Sequence, residues 1–372
     1  MDKKLLILRV GSGVTVRADG EIDFTRISCI VRDVVGLYKE GFEVLLVPSG
    51  SVAAGKLLVK ALRGVPRNQM RQVYFAMGQT RLFGFYHQIF REHRKLTAEL
   101  LISRDSFASR NQYFSIRDTI RNLLANDIIP IVGDNYVLNR DGDSFSGNDH
   151  LAGYLGGMLT AEKVVFLSSV NGICRNFHQA GLVSGNGKGE PANVERIPRV
   201  TGDFEDLKLH VISEERGGGG MENKVNAAKL LFDLGIESWI VDGKQEGVLD
   251  GVVEGRDQGT HFVPAERKKL SGVRKWLCTG AIPKGSIRVS RLGAEVMRSG
   301  ELRGSLLARG IEQVSGEFAR ADVVTVCDTE GRLLGYGITK YSSEEIPALL
   351  HEDGIIVIHA DYFYGTDHGY FL

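Results

Sequence analysis

The 372-residue chain has no run of about 18 apolar residues, so nothing in it is expected to span a membrane. Its four cysteines, Cys29, Cys174, Cys278 and Cys327, form no CxxC pair. They read as free thiols of a reducing compartment, not as a disulfide frame or a zinc site. Net charge is also missing, since 46 Lys+Arg balance 46 Asp+Glu. That excludes a protein basic overall, though not a local basic face. Residues 1–9 lack the apolar length and small-residue cleavage site of a signal peptide, and a cytoplasmic location is expected. Proline is scarce at 8 residues, against 46 glycines. Much glycine, little proline and no low-complexity tract together predict tight turns in a folded enzyme.

What is present is an ordinary core composition, 43% hydrophobic and 25% charged, enough to fold without metals or disulfides. The length suggests two or three domains. Leu5-Leu6-Ile7-Leu8 is a buried-strand run, and Phe24, Ile27, Ile30, Val31, Val34, Leu37 and Tyr38 follow at helical spacing. Gly41 marks the end of that helix. Val44–Val47, Ile128–Val132, Lys163–Leu167 and Ser238–Val241 repeat the strand theme between helical patterns. Continuous Val/Ile/Leu strands alternating with helices predict an α/β fold, a mostly parallel sheet covered on both faces. Ligands of such sheets sit at the carboxyl ends of the strands, where this chain places its Gly/Ser/Asn/Asp clusters.

Near residue 260 the pattern changes. Short β-like segments from Lys284 onward predict a small β-rich domain of about 90 residues, joined through a linker from Gly255–Gly259 to the basic run Arg267-Lys268-Lys269. Residues 267–320 carry 12 basic and 4 acidic residues, net +8, and residues 321–372 carry 2 and 9, net −7. Two readings stand: the halves neutralise each other across one small domain, or the first half is a basic face for nucleic acid or another anion.

Four clusters can carry chemistry. The first two strands run into Arg9-Val10-Gly11-Ser12-Gly13 and Ser49-Gly50-Ser51. Glycines there let the backbone approach a ligand, yet neither cluster matches GxGxxG or GxxxxGK[ST], and each alone is as readily a turn. Gly147-Asn148-Asp149-His150 precedes an apolar helix, so Asn148 or Asp149 could be a simple N-cap. Gly217–Gly220 followed by Met221-Glu222-Asn223-Lys224 is the most specific cluster, able to wrap phosphates and offer a cation. Arg9, Asp149 and Lys224 form a candidate catalytic set, two cations and one acid, which suits phosphoryl transfer because that chemistry asks for positioning and charge neutralisation.

Ser49-Gly50-Ser51-Val52-Ala53-Ala54-Gly55, Met77-Gly78-Gln79-Thr80-Arg81-Leu82, Arg117-Asp118-Thr119, Gly147–Leu151 and Gly219–Lys224, in this order, resemble the motifs of bacterial glutamate 5-kinase. Gly280–Gly285, Ser305–Ile311, Gly316-Glu317-Phe318 and Gly337–Tyr341 resemble its PUA module. The resemblance implies a three-layer αβα amino-acid-kinase domain over 1–258 and a PUA barrel over 275–361. It implies transfer of the γ-phosphate of Mg-ATP to the side-chain carboxylate of glutamate, the opening step of proline biosynthesis, often with proline as feedback inhibitor. Carried over by position, Ser49, Gly50, Asn148 and the site of Tyr136 hold the amino acid. Arg9, Gly11, Ser168, Ser169, Gly218, Gly219, Gly220, Met221 and Lys224 surround ATP. Lys224 acts on the transferring phosphate, Asp149 orients the cations, and Gly11 and Gly50 offer backbone N–H groups. No protein-held metal site is expected, Mg2+ arriving with ATP.

Three positions differ from the family pattern. Its first-strand lysine is Arg9, the last acid of its Glu-Asn-Asp run, which meets the substrate's amino group, is Tyr136, and its Thr-Asp at the nucleotide site is Ser168-Ser169. The alternative reading is therefore a catalytically weakened or regulatory relative that binds amino acid or nucleotide, or acts through its PUA module on RNA. A dimer or tetramer is expected, and RNA binding is not, because the chain is neutral overall and no Lys/Arg run is interleaved with aromatics.

Overall fold

Strand β1 (Lys4–Val10) pairs in parallel with β2 (Phe42–Pro48), Leu6 opposite Val44 and Leu8 opposite Leu46. Both strands lie inside a sheet, which is why their apolar runs are continuous and not alternating. The computed structural model describes residues 3–59, 63–138, 147–175, 195–202, 204, 207, 220–298 and 304–366. With β3 (Leu96–Ile102), β4 (Ile128–Asp134), β5 (Lys163–Ser168), β8 (Arg199–Val200), β9 (Glu237–Asp242) and β10 (Thr260–Phe262), the sheet runs β3-β4-β2-β1-β5-β9-β10-β8. Every described pairing is parallel except β9 with β10. A short β6–β7 hairpin ladder (Cys174–Arg175 with Glu195–Arg196) stands apart.

Helices cover both faces. A short helix α1 (Ser12–Thr15) follows β1 directly. Helix α2 (Phe24–Lys39) starts where the Asp23 carboxylate accepts the Arg26 N–H at 2.9 Å and stops before Gly41, whose φ of +87° suits glycine. Its Ile27, Ile30, Val31, Val34 and Leu37 are fully buried with Leu6, Leu8 and Val44, each side chain contributing about 1.5–3 kcal/mol. An acid at Val34 would break this face.

Glycine pairs set how closely the remaining helices approach. Helix α3 (Ser51–Lys56) meets α4 (Arg67–Glu92) so tightly that a Cβ on Gly55 would lie 1.8 Å from the Tyr74 carbonyl, and one on Gly78 1.9 Å from that of Ser51. Helix α4 is core along Leu82, Tyr86 and Phe90, while Phe85 sits edge-on to Phe24. After α5 (Arg104–Ala108) and α6 (Arg110–Ala125), helix α7 (Asn148–Leu159) packs on α8 (Met221–Asp233). A Cβ on Gly156 would meet Leu231 at 2.6 Å. Helix α9 (Val248–Glu254) adds Val248, Leu249 and Val252 to the α2 side of the core.

The chain folds as two compact units, residues 1–104 with 115–268, and residues 105–114 with 269–372. Strand β10 lies within the stretch that the sequence marks as linker, and it extends the first unit's sheet. In the second unit α10 (Gly272–Thr279) anchors residues 105–114: Trp276 Nε1 donates to the Phe107 carbonyl at 3.0 Å, and the Tyr113 and Thr279 hydroxyls meet at 3.1 Å. The unit also holds the helices α11 (Arg291–Arg298) and α12 (Ile346–Leu349). Its sheet uses β11 (Gly285–Val289), β12 (Leu306–Leu307), β13 (Ile311–Ser315), β14 (Val323–Cys327), β15 (Leu333–Thr339) and β16 (Ile356–Gly365), in the order β12-β16-β15-β14-β11-β13. Among the described residues, four ion pairs join its basic and acidic halves: Lys284–Asp322, Arg298–Asp328, Arg309–Asp353 and Arg320–Glu345. The opposite charges of this domain thus meet within it. All four cysteines are free thiols.

Candidate active site

Strands β1, β2, β4 and β5 are parallel neighbours, so their carboxyl ends open on the same edge of the sheet. Helices α7 and α8 start at that edge. Gly147, at φ +114°, is the N-cap of α7, and Gly220 is the N-cap of α8. Neither start carries a side-chain cap, in contrast to Asp23 on α2. Uncapped first-turn N–H groups and the helix dipole favour an anion. The sequence left open that Asn148 or Asp149 merely caps α7; both are instead helical residues with side chains engaged elsewhere.

Asp149 is fully buried between two buried cations. Its Oδ1 lies 2.9 Å from Arg9 Nε, and its Oδ2 accepts from Lys224 Nζ at 3.2 Å. The first contact is an ion pair without hydrogen-bond alignment, and Arg9 Nη1 donates to its own neighbour, the Val10 carbonyl. Burial lowers the Lys224 pKa, the Asp149 charge opposes that, and the nearby Arg9 adds to the lowering. A buried triad of this kind is a poor stabilising device, because desolvating the ions offsets much of their attraction. Its position beside two uncapped helix starts makes it a functional candidate. Tyr86 of α4 is buried near Arg9 with a hydroxyl that has no hydrogen-bond partner among the described residues, and burial raises its pKa far above the usual tyrosine range.

Asn148 ties three strand ends together. Its Nδ2 donates to the Pro48 carbonyl at 2.8 Å and to Ser49 Oγ at 3.2 Å, and its Oδ1 accepts the Asp134 N–H at 3.3 Å. Thr15 Oγ1 holds the Ser49 carbonyl at 2.9 Å. Gly50, at φ +126°, lets α3 begin at once after Ser49. Tyr136, two residues beyond β4, packs against Phe75 of α4 at 5.7 Å between ring centres, with the Arg71 guanidinium 5.6 Å from its ring.

Gly11 is needed as glycine, since a Cβ would lie 2.8 Å from the Leu167 carbonyl. Its N–H, however, donates to that same carbonyl at 3.0 Å. The expectation that Gly11 offers this N–H to a ligand is therefore corrected: β5 takes it. Ser168 is buried, with its carbonyl accepting from Gly243 N–H at 2.8 Å. Ser169 is exposed beside Gly13, where a Cβ would come within 3.1 Å of its own Cβ. Gly220 and Met221 open α8; Gly218 and Gly219 lie outside the described residues.

His150, next to Asp149 in the same motif, has no role assigned by the sequence pattern. The residue is buried, its Nδ1 has no hydrogen-bond partner among the described residues, and burial lowers its pKa, with Asp149 and Glu222 opposing and Arg104 reinforcing the shift. Arg71 and Phe75 were missed too, because nothing in a helical periodicity says which strand end the helix crosses.

Residues 4–242 match the amino acid kinase family, and residues 294–359 match the PUA domain. The chain is 31% identical over 360 residues to glutamate 5-kinase of Chlorobaculum tepidum, covering 96% of each. To that of Syntrophotalea carbinolica it is 32% identical over 98% of this chain and 95% of the relative, and to that of Bacteroides thetaiotaomicron 30% over 96% and 98%. Among solved structures, carbamate kinase from Giardia lamblia bound to AMP-PNP superposes with a TM-score of 0.53 at 16% identity, over 70% of this chain and 99% of that one. That likeness concerns the fold: a three-layer αβα domain with a mostly parallel sheet. On sequence matched end to end, on the sheet order and on the motifs gathered at its carboxyl edge, the chain belongs to the amino acid kinase family, in its glutamate 5-kinase branch with a C-terminal PUA domain.

Proposed function

We propose that the chain transfers the γ-phosphoryl group of ATP to the side-chain carboxylate of L-glutamate, forming L-glutamyl 5-phosphate, the first step of proline biosynthesis. The observation that carries this is Asp149 holding Arg9 and Lys224 between the uncapped starts of α7 and α8. Both substrates are anionic at their reacting ends, and bringing them together requires cations fixed in advance. Lys224 meets the transferring phosphoryl oxygens. Arg9 stands on the strand side and neutralises charge there, and Asp149 keeps the two cations from separating. The N–H groups at the start of α8 face the phosphate chain, while Ser49, Gly50 and Asn148 hold the amino acid.

Mg2+ enters this reading as the companion of the ATP phosphates. Among the described residues no group of three His, Cys, Asp or Glu could hold a metal ion, and both oxygens of Asp149 already face cations. The described residues therefore do not fit a protein-held metal, and the cation chemistry argued for this chain is that of Arg9 and Lys224. A homo-oligomer and proline feedback belong to the same reading by family likeness. No described helix is long and apolar enough to cross a membrane, which suits a cytoplasmic enzyme.

The test is ATP-dependent hydroxamate formation with glutamate, aspartate and N-acetylglutamate, read together with ADP release. Glutamate-dependent product is expected. ATP hydrolysis without acyl phosphate, or no turnover with any acceptor, would favour the non-catalytic relative.

A further inference from the structure

The residues at the acceptor end form a closed circuit. Ser49 is bonded to Asn148, and Asn148 to the backbone of Asp134. Tyr136 N–H donates to the Asp134 carbonyl at 2.9 Å. Above Tyr136 stand Phe75 and Arg71, successive turns of α4. The same helix is locked one turn later, at Gly78, onto the Ser51 carbonyl, which returns the circuit to Gly50 and Ser49. Asp149 follows Asn148 directly in α7.

The chemistry around this circuit is lopsided. It offers a hydroxyl, an amide, two aromatic rings and one guanidinium. Its one acid among the described residues, Asp134, is buried. Arg71 is exposed, and among the described residues no carboxylate lies within ion-pair distance of it. A guanidinium resting on an aromatic face keeps its fork of N–H groups available and partly oriented, the arrangement that suits a planar carboxylate. Among the described residues of this circuit a protonated amine finds no exposed anion. It would face Arg71, which repels it.

Resting on the function proposed above, we propose that Arg71, backed by Tyr136 and Phe75, anchors the distal carboxylate of the acceptor, so that the subsite reads a dicarboxylate chain and is nearly indifferent to its α-ammonium group. The acceptor class is a five-carbon dicarboxylate, with or without an amino substituent. Arg71 is then a specificity-determining residue supplied by α4, and Tyr136 is the platform that positions it.

Equilibrium binding of L-glutamate and of glutarate to the full chain, by calorimetry with AMP-PNP present, decides this independently of turnover. The two dissociation constants are expected within about tenfold of each other, since the ammonium contributes little. Arg71→Gln, an exposed change that leaves the core untouched, should weaken both by about tenfold, the loss of one charge-assisted contact. In turnover assays it should raise KM with kcat nearly unchanged. Tyr136→Asp should neutralise Arg71 and give the ammonium a partner, shifting the glutamate-to-glutarate ratio at least tenfold toward glutamate. The proposal is overturned if glutamate binds more than a hundredfold tighter than glutarate, if Arg71→Gln changes neither constant, or if neither acceptor binds. Tight, Arg71-dependent binding without any product would uphold the subsite and overturn the kinase reading alone.

Discussion

Asn148 Nδ2 and Ser49 Oγ meet at 3.2 Å although 99 residues separate them. The contact joins the turn after β2 to the start of α7, and with the Asp134 N–H it fixes β4 as well. Asn148→Ala should leave the Pro48 carbonyl and the Asp134 N–H short of a partner, lowering stability by about 1–3 kcal/mol. The acceptor KM should rise with it. Urea unfolding and steady-state kinetics on one preparation check both, and an unchanged KM would remove Asn148 from the acceptor site.

Lys224→Ala should lower kcat far more than it weakens binding of either substrate. The lysine acts on charge that grows in the transition state, and loss of one such donor is worth about 3 kcal/mol or more. A variant with wild-type kcat would mean that the start of α8 does not serve the transferring phosphate.

Asp149→Asn should impair both rate and fold. With Asp149 fully buried between two buried cations, removing the charge should cost about 3–5 kcal/mol. Saturating ATP, whose phosphates supply the missing negative charge, should recover part of that in a thermal-shift measurement. Normal stability and normal rate together would reduce Asp149 to an incidental contact.

His150 links stability to mild acid. Burial lowers its pKa below the ordinary histidine value of 6.5, so the unfolded chain takes up a proton before the folded one does. The stabilising contribution is therefore complete above pH 6.5 and is lost as pH falls below it. Asp149 and Glu222 face the ring and temper the shift, whereas Arg104 reinforces it. His150→Gln should flatten the slope of the urea midpoint between about pH 5 and 6.5. An identical slope in the variant would show that another group governs it.

Gly78→Ala should be costly despite the small change. The new methyl would lie 1.9 Å from the Ser51 carbonyl, so α3 and α4 must part. Overpacking of this kind costs about 1–3 kcal/mol, occasionally more. Gly84→Ala, on the same helix with open space around it, should be neutral or slightly stabilising. Equal midpoints for the two variants would contradict the packing argument.

Local pattern determined a good part of this molecule. The strands β1, β2, β4, β5 and β9 were legible as branched apolar runs, and α2 as a helical stripe, because burial on both faces of a sheet or on one face of a helix writes a period directly into the chain. The set Arg9, Asp149 and Lys224 was legible by chemistry, since two cations brought close together need an acid between them. What only the tertiary structure decided are contacts with no local signature. Residues 105–114 join the second unit through Trp276 and Thr279, β10 pairs inside an apparent linker, and Leu167 takes the Gly11 N–H. Arg71 and Phe75 reach Tyr136 only because Gly55 and Gly78 let α4 lie against α3. Each depends on sheet order and helix approach, which are set by close packing between residues far apart in the chain. Such packing leaves no period in the sequence to read.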